Sequence, residues 1–300
     1  MKQSETSAQK PIRRVGIVAK SQLDEAAGLL TDLQTWLTAH NVTPVFETST
    51  AALAGLDVKT LDRDDLPSDV DMVLVLGGDG TLLSMAGRIA EAGANIPMLA
   101  VNFGGLGFLT EITLDELYPS LELALNGTAK VDQRHMLRAV VKRNKQTVVE
   151  RLVLNEVTVM RGASSPIMDL AVSVGSQFVA NFKADGLIVA SPTGSTAYNL
   201  AVGGPIVHPL VEALILTPIA PHTLTNRPIV LPKASEVRVQ PVFGCDNDEV
   251  VTTFDGQFGV KLQCDDIVCV SAASGSLKLF RAPTRNYFAV LREKLKWAER

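Results

Sequence analysis

The sequence has no dense run of lysine and arginine, no apolar stretch long enough to cross a bilayer and no apolar leader of the secretory kind. The first absence argues against nucleic acid as a main partner, the other two against membrane insertion and export. Cysteine is scarce, three in 300 residues. Cys264 and Cys269 lie five apart in a strand-like segment and so on opposite faces, which disfavours a zinc pair or a disulfide between them. Together these features predict a reducing, cytoplasmic setting. Familiar catalytic signatures are missing too. No Gly-Lys pair occurs, which excludes a Walker loop, and the glycines of Phe103-Gly104-Gly105-Leu106-Gly107-Phe108 do not complete a Gly-x-Gly-x-x-Gly fingerprint. Neither His-Glu-x-x-His nor Gly-x-Ser-x-Gly is present, removing common zinc peptidase and serine hydrolase readings.

What is present is enough apolar material for two cores. Hydrophobic residues make up 46% of the chain against a net charge of −4, so most of it folds, in two domains. The polar stretch 1–9 reads as a frayed tail. Residues 14–125 alternate strand and helix: Val15-Gly16-Ile17-Val18-Ala19 is a buried strand, and Leu23, Ala26, Ala27, Leu30, Leu33, Trp36 and Leu37 repeat at helical spacing. Strands near 43–46, 70–76 and 98–101 and a helix through Leu82, Met85, Ala86 and Ile89 continue the pattern. Thr113-Leu114-Asp115-Glu116 is a capping box, with Gly127 a stop for the helix it opens. Beyond residue 131 the period changes to short β-branched runs separated by turn residues, including one at 148–159. A single helical interruption falls near 195–200, and in the tail Phe288, Leu291 and Leu295 share a helical face. The prediction is α/β plus all-β: an N-terminal doubly wound, mostly parallel sheet over 1–130, a β-sandwich-like domain over 131–276, and a segment 277–300 that packs back on the first domain.

The most informative motif is Gly77-Gly78-Asp79-Gly80-Thr81, which follows an apolar run and precedes a helix-like segment. Glycine there lets backbone approach a phosphate, and amides at a helix start offer donors to an anion. A carboxylate in that place would repel phosphate unless it had a task, such as taking a proton from an attacking hydroxyl. Gly-Asp-Gly is also common in plain turns. If the sheet is parallel, Asn102 and the glycine-rich segment through Phe108 reach the same edge, where open α/β sheets bind ligands. Further on, Asn155-Glu156 interrupts an apolar strand run and puts an amide and a carboxylate on opposite faces unless a bulge re-aims them. Asp185-Gly186 and the hydroxyl-rich Ser191-Pro192-Thr193-Gly194-Ser195-Thr196-Ala197-Tyr198-Asn199 bracket the strand 187–190. The second of these suits a nucleotide or an ordinary helix cap. Asp255-Gly256-Gln257 reads equally as a simple turn, and His222 as a packed or capping residue.

Taken together, these residues resemble the NAD kinase family. The resemblance runs through Gly77 to Thr81, Asn102 with Leu106-Gly107-Phe108-Leu109-Thr110, Asn155-Glu156, the segment from Asp185 to Tyr198 continuing to Gly203-Gly204-Pro205, Pro221-His222-Thr223-Leu224, and Asp255-Gly256-Gln257. It spans nearly the whole chain in order. The glycine motif alone is shared with diacylglycerol, sphingosine and 6-phosphofructo kinases, so the later motifs carry the specificity. The resemblance implies transfer of the γ-phosphoryl of ATP, or of polyphosphate or another nucleoside triphosphate, to the 2′-hydroxyl of the adenosine ribose of NAD. It makes Asp79 the base, with Gly78, Gly80 and Thr81 near the donor phosphates, and gives Phe108 and Leu83 as apolar walls for the bound NAD. Asn102 belongs to the same site. Asn155 and Glu156 would bind the adenosine portion of NAD, Thr193, Thr196, Ala197, Tyr198 and Gln257 would surround the nucleotide, and Lys183 and Asp185 would complete a site across a subunit boundary in a homo-oligomer. A divalent cation, Mg²⁺, would be held mainly by substrate phosphates, with no protein metal cage. Gly104-Gly105 and Lys183 depart from forms common in the family. Two other readings compete, a lipid kinase of the diacylglycerol or sphingosine type and a non-catalytic nucleotide sensor. No strongly amphipathic basic helix supports the former, and retention of Asp79, Asn155 and Glu156 counts against the latter.

Overall fold

A computed structural model describes residues 11–20, 26–162, 165–223, 225–242 and 249–297. The readings made for residues 1–9, for Leu23 and for Leu224 lie outside the described residues. The chain divides into two compact units, Met1–Gln133 with Leu277–Arg300, and Arg134–Ser276.

In the first unit, buried β-branched and leucine runs form parallel strands, because a strand covered by helices on both faces has no polar side to present. Their order across the sheet is Thr60–Leu61, Thr43–Glu47, Arg14–Ala19, Met72–Leu76, Pro97–Asn102. The register is set by pairs such as Val15 with Met72 and Val73 with Met98. Numbered along the chain this is 3-2-1-4-5, so the direction of winding reverses between Arg14–Ala19 and Met72–Leu76. Crevices at such a reversal, outside the carboxyl ends of the strands, are where doubly wound sheets receive ligands. The helix Ala26–Ala39 buries Ala26, Leu30, Leu33 and Leu37, and Asp79–Glu91 buries Leu82, Met85, Ala86 and Ile89. Both show the 3-to-4 spacing of a helix with one apolar face. Thr113 and Glu116 form the reciprocal capping box ahead of Leu117–Leu125, and Gly127 takes φ +71 beyond it. Residues 278–279 add in parallel to Pro97–Asn102, and the helix Tyr287–Leu295 follows, capped by Asn286. Its buried face differs from the sequence reading. Val290 and Leu291 are the buried pair, whereas Phe288 stays 58% exposed.

The second unit is built from antiparallel sheets. One runs in the order Ile229–Pro232, Ala213–Ile219, Gly186–Ala190, Glu156–Arg161, Val250–Phe254, Phe258–Lys261. Other strands, among them Gln177–Ala184, Met168–Val174 and Glu236–Val242, belong to a different set of ladders. Strand Glu236–Val242 alternates cleanly, with Val237 and Val239 buried and Arg238 exposed, as expected of a sheet with one wet face. Side chains from both sets, including Leu170, Val172, Leu187, Val189, Val237 and Val239, share a single core, which gives the unit its sandwich character. The run 148–159 is not one strand. Gln146–Val153 pairs with Val131–Arg143, Glu156–Arg161 pairs with Gly186–Ala190 and Val250–Phe254, and residues 154–155 form the corner between them.

Candidate active site

In the first unit, the fully buried strand Met72–Leu76 delivers the chain to Gly77 at the carboxyl edge of the sheet. Gly78 is the N-cap and Asp79 the first residue of the helix Asp79–Glu91. A Cβ at Gly77 would lie 2.8 Å from Thr81 Oγ1, whereas a Cβ at Gly78 or Gly80 would meet only open space. The loop is therefore tight on its protein side and clear where a ligand would approach. Asp79 is held by the segment 107–110. Its Oδ1 accepts from Thr110 N at 2.9 Å, Thr110 Oγ1 at 2.8 Å and Leu109 N at 3.3 Å; Oδ2 accepts from Phe108 N alone, at 3.0 Å. Oδ2 thus keeps acceptor capacity that Oδ1 has used.

Thr110 is the hinge of this arrangement. Its buried hydroxyl accepts from Asn102 Nδ2 at 2.9 Å while donating to Asp79, and Asn102 Nδ2 also donates to Gly105 O at 2.9 Å. Gly104 N closes back on Asn102 Oδ1 at 2.8 Å. Gly107 is obligatory for space: a Cβ there would fall 2.2 Å from both Asp79 Oδ1 and Thr110 Oγ1. Thr81 and Leu83 are half-buried in the first turns of the helix. The ring of Phe108 has Lys294 Nζ 5.6 Å from its centroid. Asp79, Asn102 and Phe108, far apart in sequence, are thus one cluster.

In the second unit, residues 154–156 turn the corner between two sheets, and their main chain is bonded on both edges. Asp255 accepts from the three successive amides, Leu154 N at 2.7 Å, Asn155 N at 2.8 Å and Glu156 N at 3.0 Å. Ser191 serves the carbonyls, with Oγ donating to Leu154 O at 2.6 Å and N donating to Asn155 O at 2.8 Å. Gly194 closes over the same spot, where a Cβ would lie 2.2 Å from Asn155 O. The two side chains of interest are left open. Asn155 Oδ1 and Glu156 Oε2 are buried and have no hydrogen-bond partner among the described residues. Burial first, then the charge of Asp255, pushes the Glu156 carboxyl up to about 8. Asp255 itself is raised to about 6 by burial, against the pull of its three backbone donors. A buried, unsatisfied acceptor costs roughly 1–3 kcal/mol, so a pair of them marks a place where a ligand's donors belong.

Thr193 and Thr196 sit in the 3-10 turn Thr193–Thr196, and Ala197 and Tyr198 open the short helix Tyr198–Ala201, with Tyr198 exposed. Asn199 anchors that turn, bonding Ser195 O, Pro205 O and Thr217 Oγ1. Gly204 leaves it room, since a Cβ there would lie 2.1 Å from Asn199 Oδ1. Gln257 is exposed two residues beyond Asp255. Asp185 is instead engaged by Arg161 Nε at 2.7 Å, and Lys183 is exposed with its carbonyl accepting from His222 N at 2.8 Å. Sequence reasoning left Gly107, Thr110, Ser191 and Asp255 without a site role. Each nevertheless stands in a segment quoted for the resemblance, and of these Asp255-Gly256-Gln257 is explained equally well by a turn.

A carboxylate in a glycine loop at the switch point of a parallel sheet, joined in one chain to a β unit carrying open buried acceptors, defines a nucleotide-handling phosphotransferase. The family model described as the ATP-NAD kinase N-terminal domain matches residues 15–129, and the ATP-NAD kinase C-terminal domain matches residues 154–282. An NAD kinase of Geobacter metallireducens is 44% identical over 289 residues, 96% of this chain and 100% of that protein. One of Geobacter sulfurreducens is 45% identical with the same coverage. Among solved structures, yeast NADH kinase complexed with NADH superposes with a TM-score of 0.86 at 27% identity, over 97% of this chain and 90% of the yeast chain. The chain belongs to the NAD kinase family.

Proposed function

We propose that the protein transfers the γ-phosphoryl of ATP to the 2′-hydroxyl of the adenosine ribose of NAD, forming NADP, with Asp79 as the group that orients and deprotonates that hydroxyl. The observation that carries this reading is the asymmetry of the Asp79 carboxylate. Oδ1 is tied by three donors and Oδ2 by one, so the acid is fixed in direction and one oxygen keeps acceptor capacity for a hydroxyl. Proton transfer by a positioned group contributes roughly 10²–10⁴-fold, and the rest of phosphoryl-transfer catalysis is alignment and charge neutralisation. The open space at Gly78 and Gly80 suits the donor phosphates, with Thr81 beside them, and Leu83 and Phe108 are apolar walls for the bound NAD.

The adenosine of NAD binds at Asn155 Oδ1 and Glu156 Oε2, which lack protein donors and can accept from ribose hydroxyls or an exocyclic amine. Thr193, Thr196, Ala197, Tyr198 and Gln257 surround the nucleotide. Lys183 and Asp185 contribute across a subunit boundary in a homo-oligomer. Magnesium, when bound, neutralises phosphate charge. The donor set suits an ion carried on the phosphates, because Asp79 is the sole carboxylate in the 77–81 loop and three of its four bonds fall on one oxygen. Cys264 and Cys269 are unbridged among the described residues, and the setting is cytoplasmic.

The test is a substrate panel. NAD, diacylglycerol and a long-chain base are offered with ATP and Mg²⁺, and NADP is read by an NADP-specific dehydrogenase. NADP from NAD alone is the expected result. Lipid phosphorylation, or NAD binding with no product from ATP, overturns the reading in favour of a lipid kinase or a sensor respectively.

A further inference from the structure

An amide and a carboxylate adjacent in sequence diverge on a regular strand. They can serve one ligand only if the backbone between them is bent and held, and here that bend is a corner between two sheets. A corner has no ladder partners of its own, so its amides and carbonyls must be satisfied by other groups or by water. Two residues from distant parts of the second unit do this, each with its side chain and its own amide. Asp255, at φ +50 in the turn after Val250–Phe254, takes all three amides of residues 154–156, and its own amide donates to Glu156 O at 3.0 Å. Ser191, at the end of Gly186–Ala190, takes the carbonyls of Leu154 and Asn155 and also accepts from Gly194 N at 3.1 Å. Ser191 is fully buried and Asp255 is 8% exposed, so neither competes for bulk solvent.

We propose that Asp255 and Ser191 are positioning residues for the dinucleotide: a two-sided clamp on residues 154–156 that aims Asn155 Oδ1 and Glu156 Oε2 at the bound NAD without touching it. This rests on the reading of Asn155 and Glu156 as the NAD-binding pair. The clamp accounts for two features that a plain turn leaves unexplained. A buried carboxylate is costly unless strongly bonded, and Asp255 has three backbone amides. A glycine is required at 194 because the clamp brings Asn155 O within 2.2 Å of where a Cβ would stand. The clamp also fixes two consecutive side chains with one backbone segment, so loosening it costs both contacts together.

The experiment compares Asp255→Asn and Ser191→Ala with the wild-type full chain, measuring KM for NAD and for ATP, kcat, and NAD affinity by calorimetry, with thermal melting as the fold control. The first change keeps the shape but turns an amide NH₂ toward backbone donors, and the second removes one carbonyl partner. Expected are a rise of about tenfold or more in KM for NAD in D255N, a smaller rise in S191A, and KM for ATP within about twofold in both. A residue that only stabilises the fold would lower the melting temperature and leave this split absent. If D255N does not fold, S191A carries the test. Folded variants with unchanged KM for NAD, or with both KM values raised equally, overturn the clamp. Failure of the NAD reading itself looks different, since the wild type would then make no NADP.

Discussion

The Asp79 cradle and the Asn155-Glu156 corner handle a carboxylate in opposite ways. In the first unit the acid at the site accepts four bonds from residues 108–110. In the second unit the donors go to Asp255, a supporting acid, while Glu156 Oε2 and Asn155 Oδ1 are left with none. The first arrangement fixes an oxygen in space, which a proton acceptor needs. The second keeps acceptors empty and buried, which a ligand-binding pair needs. One chain thus prepares a reacting group by satisfying it and a binding group by leaving it unsatisfied.

The contrast can be broken most severely at Gly107. Gly107→Ala puts a methyl 2.2 Å from Asp79 Oδ1, forcing the acid or the loop to move. A misplacement of this kind is expected to lower kcat about 10²-fold with NAD affinity retained, read by steady-state kinetics beside calorimetry. Thr110→Val removes one of the three bonds to Oδ1 and strands Asn102 Nδ2 with Gly105 O alone. Its expected cost is about 10- to 100-fold in kcat, from a hydrogen bond to a charged group worth roughly 1.5–3 kcal/mol.

The second half of the contrast is visible in stability against pH. Because the folded Glu156 titrates near 8 and the unfolded group near 4.5, the folded state binds the extra proton between those values. Stability from this group is complete below about 4.5 and is lost as pH rises through 8. Urea unfolding of wild type and Glu156→Gln is expected to show wild type losing ground to the variant across that window, by a few kcal/mol, and flat differences above it. A wild type that gains on the variant as pH rises would contradict the burial argument. Glu116 supplies the control of opposite sign and smaller size. Burial alone would raise it, but bonds from Thr113, Thr284 and Arg285 hold it down to about 2. Its stabilisation is therefore present above about 4.5 and lost as pH falls to 2, and Glu116→Gln is expected to cost about 1 kcal/mol at neutral pH, with kcat unchanged.

Much of the first unit was legible because its signals are local. The buried run ahead of Gly77, the apolar spacing of Leu82, Met85, Ala86 and Ile89, and the Thr113 to Glu116 capping box each declare an element within a few residues. The second unit was harder to read. Ala213–Ile219 pairs with Ile229–Pro232 only over residues 213–216, and Pro218, whose missing amide disfavours a central place, stands beyond the last of those pairs. The break at residues 154–155 is imposed by which sheet each flanking strand joins, and that is decided by partners elsewhere in the chain. Asp255 acts on residues 99 to 101 positions away, and Ser191 on residues 36 and 37 positions before it. The residues expected to touch ligand stand in recognisable motifs, whereas those that aim them look like ordinary turn and cap residues.

The most direct measurement is Asp79→Asn in the full chain, with turnover and NAD affinity measured on the same preparation. The account predicts turnover lower by about 10²–10⁴-fold with a folded protein that still binds NAD. A D79N enzyme making NADP at the wild-type rate would contradict it.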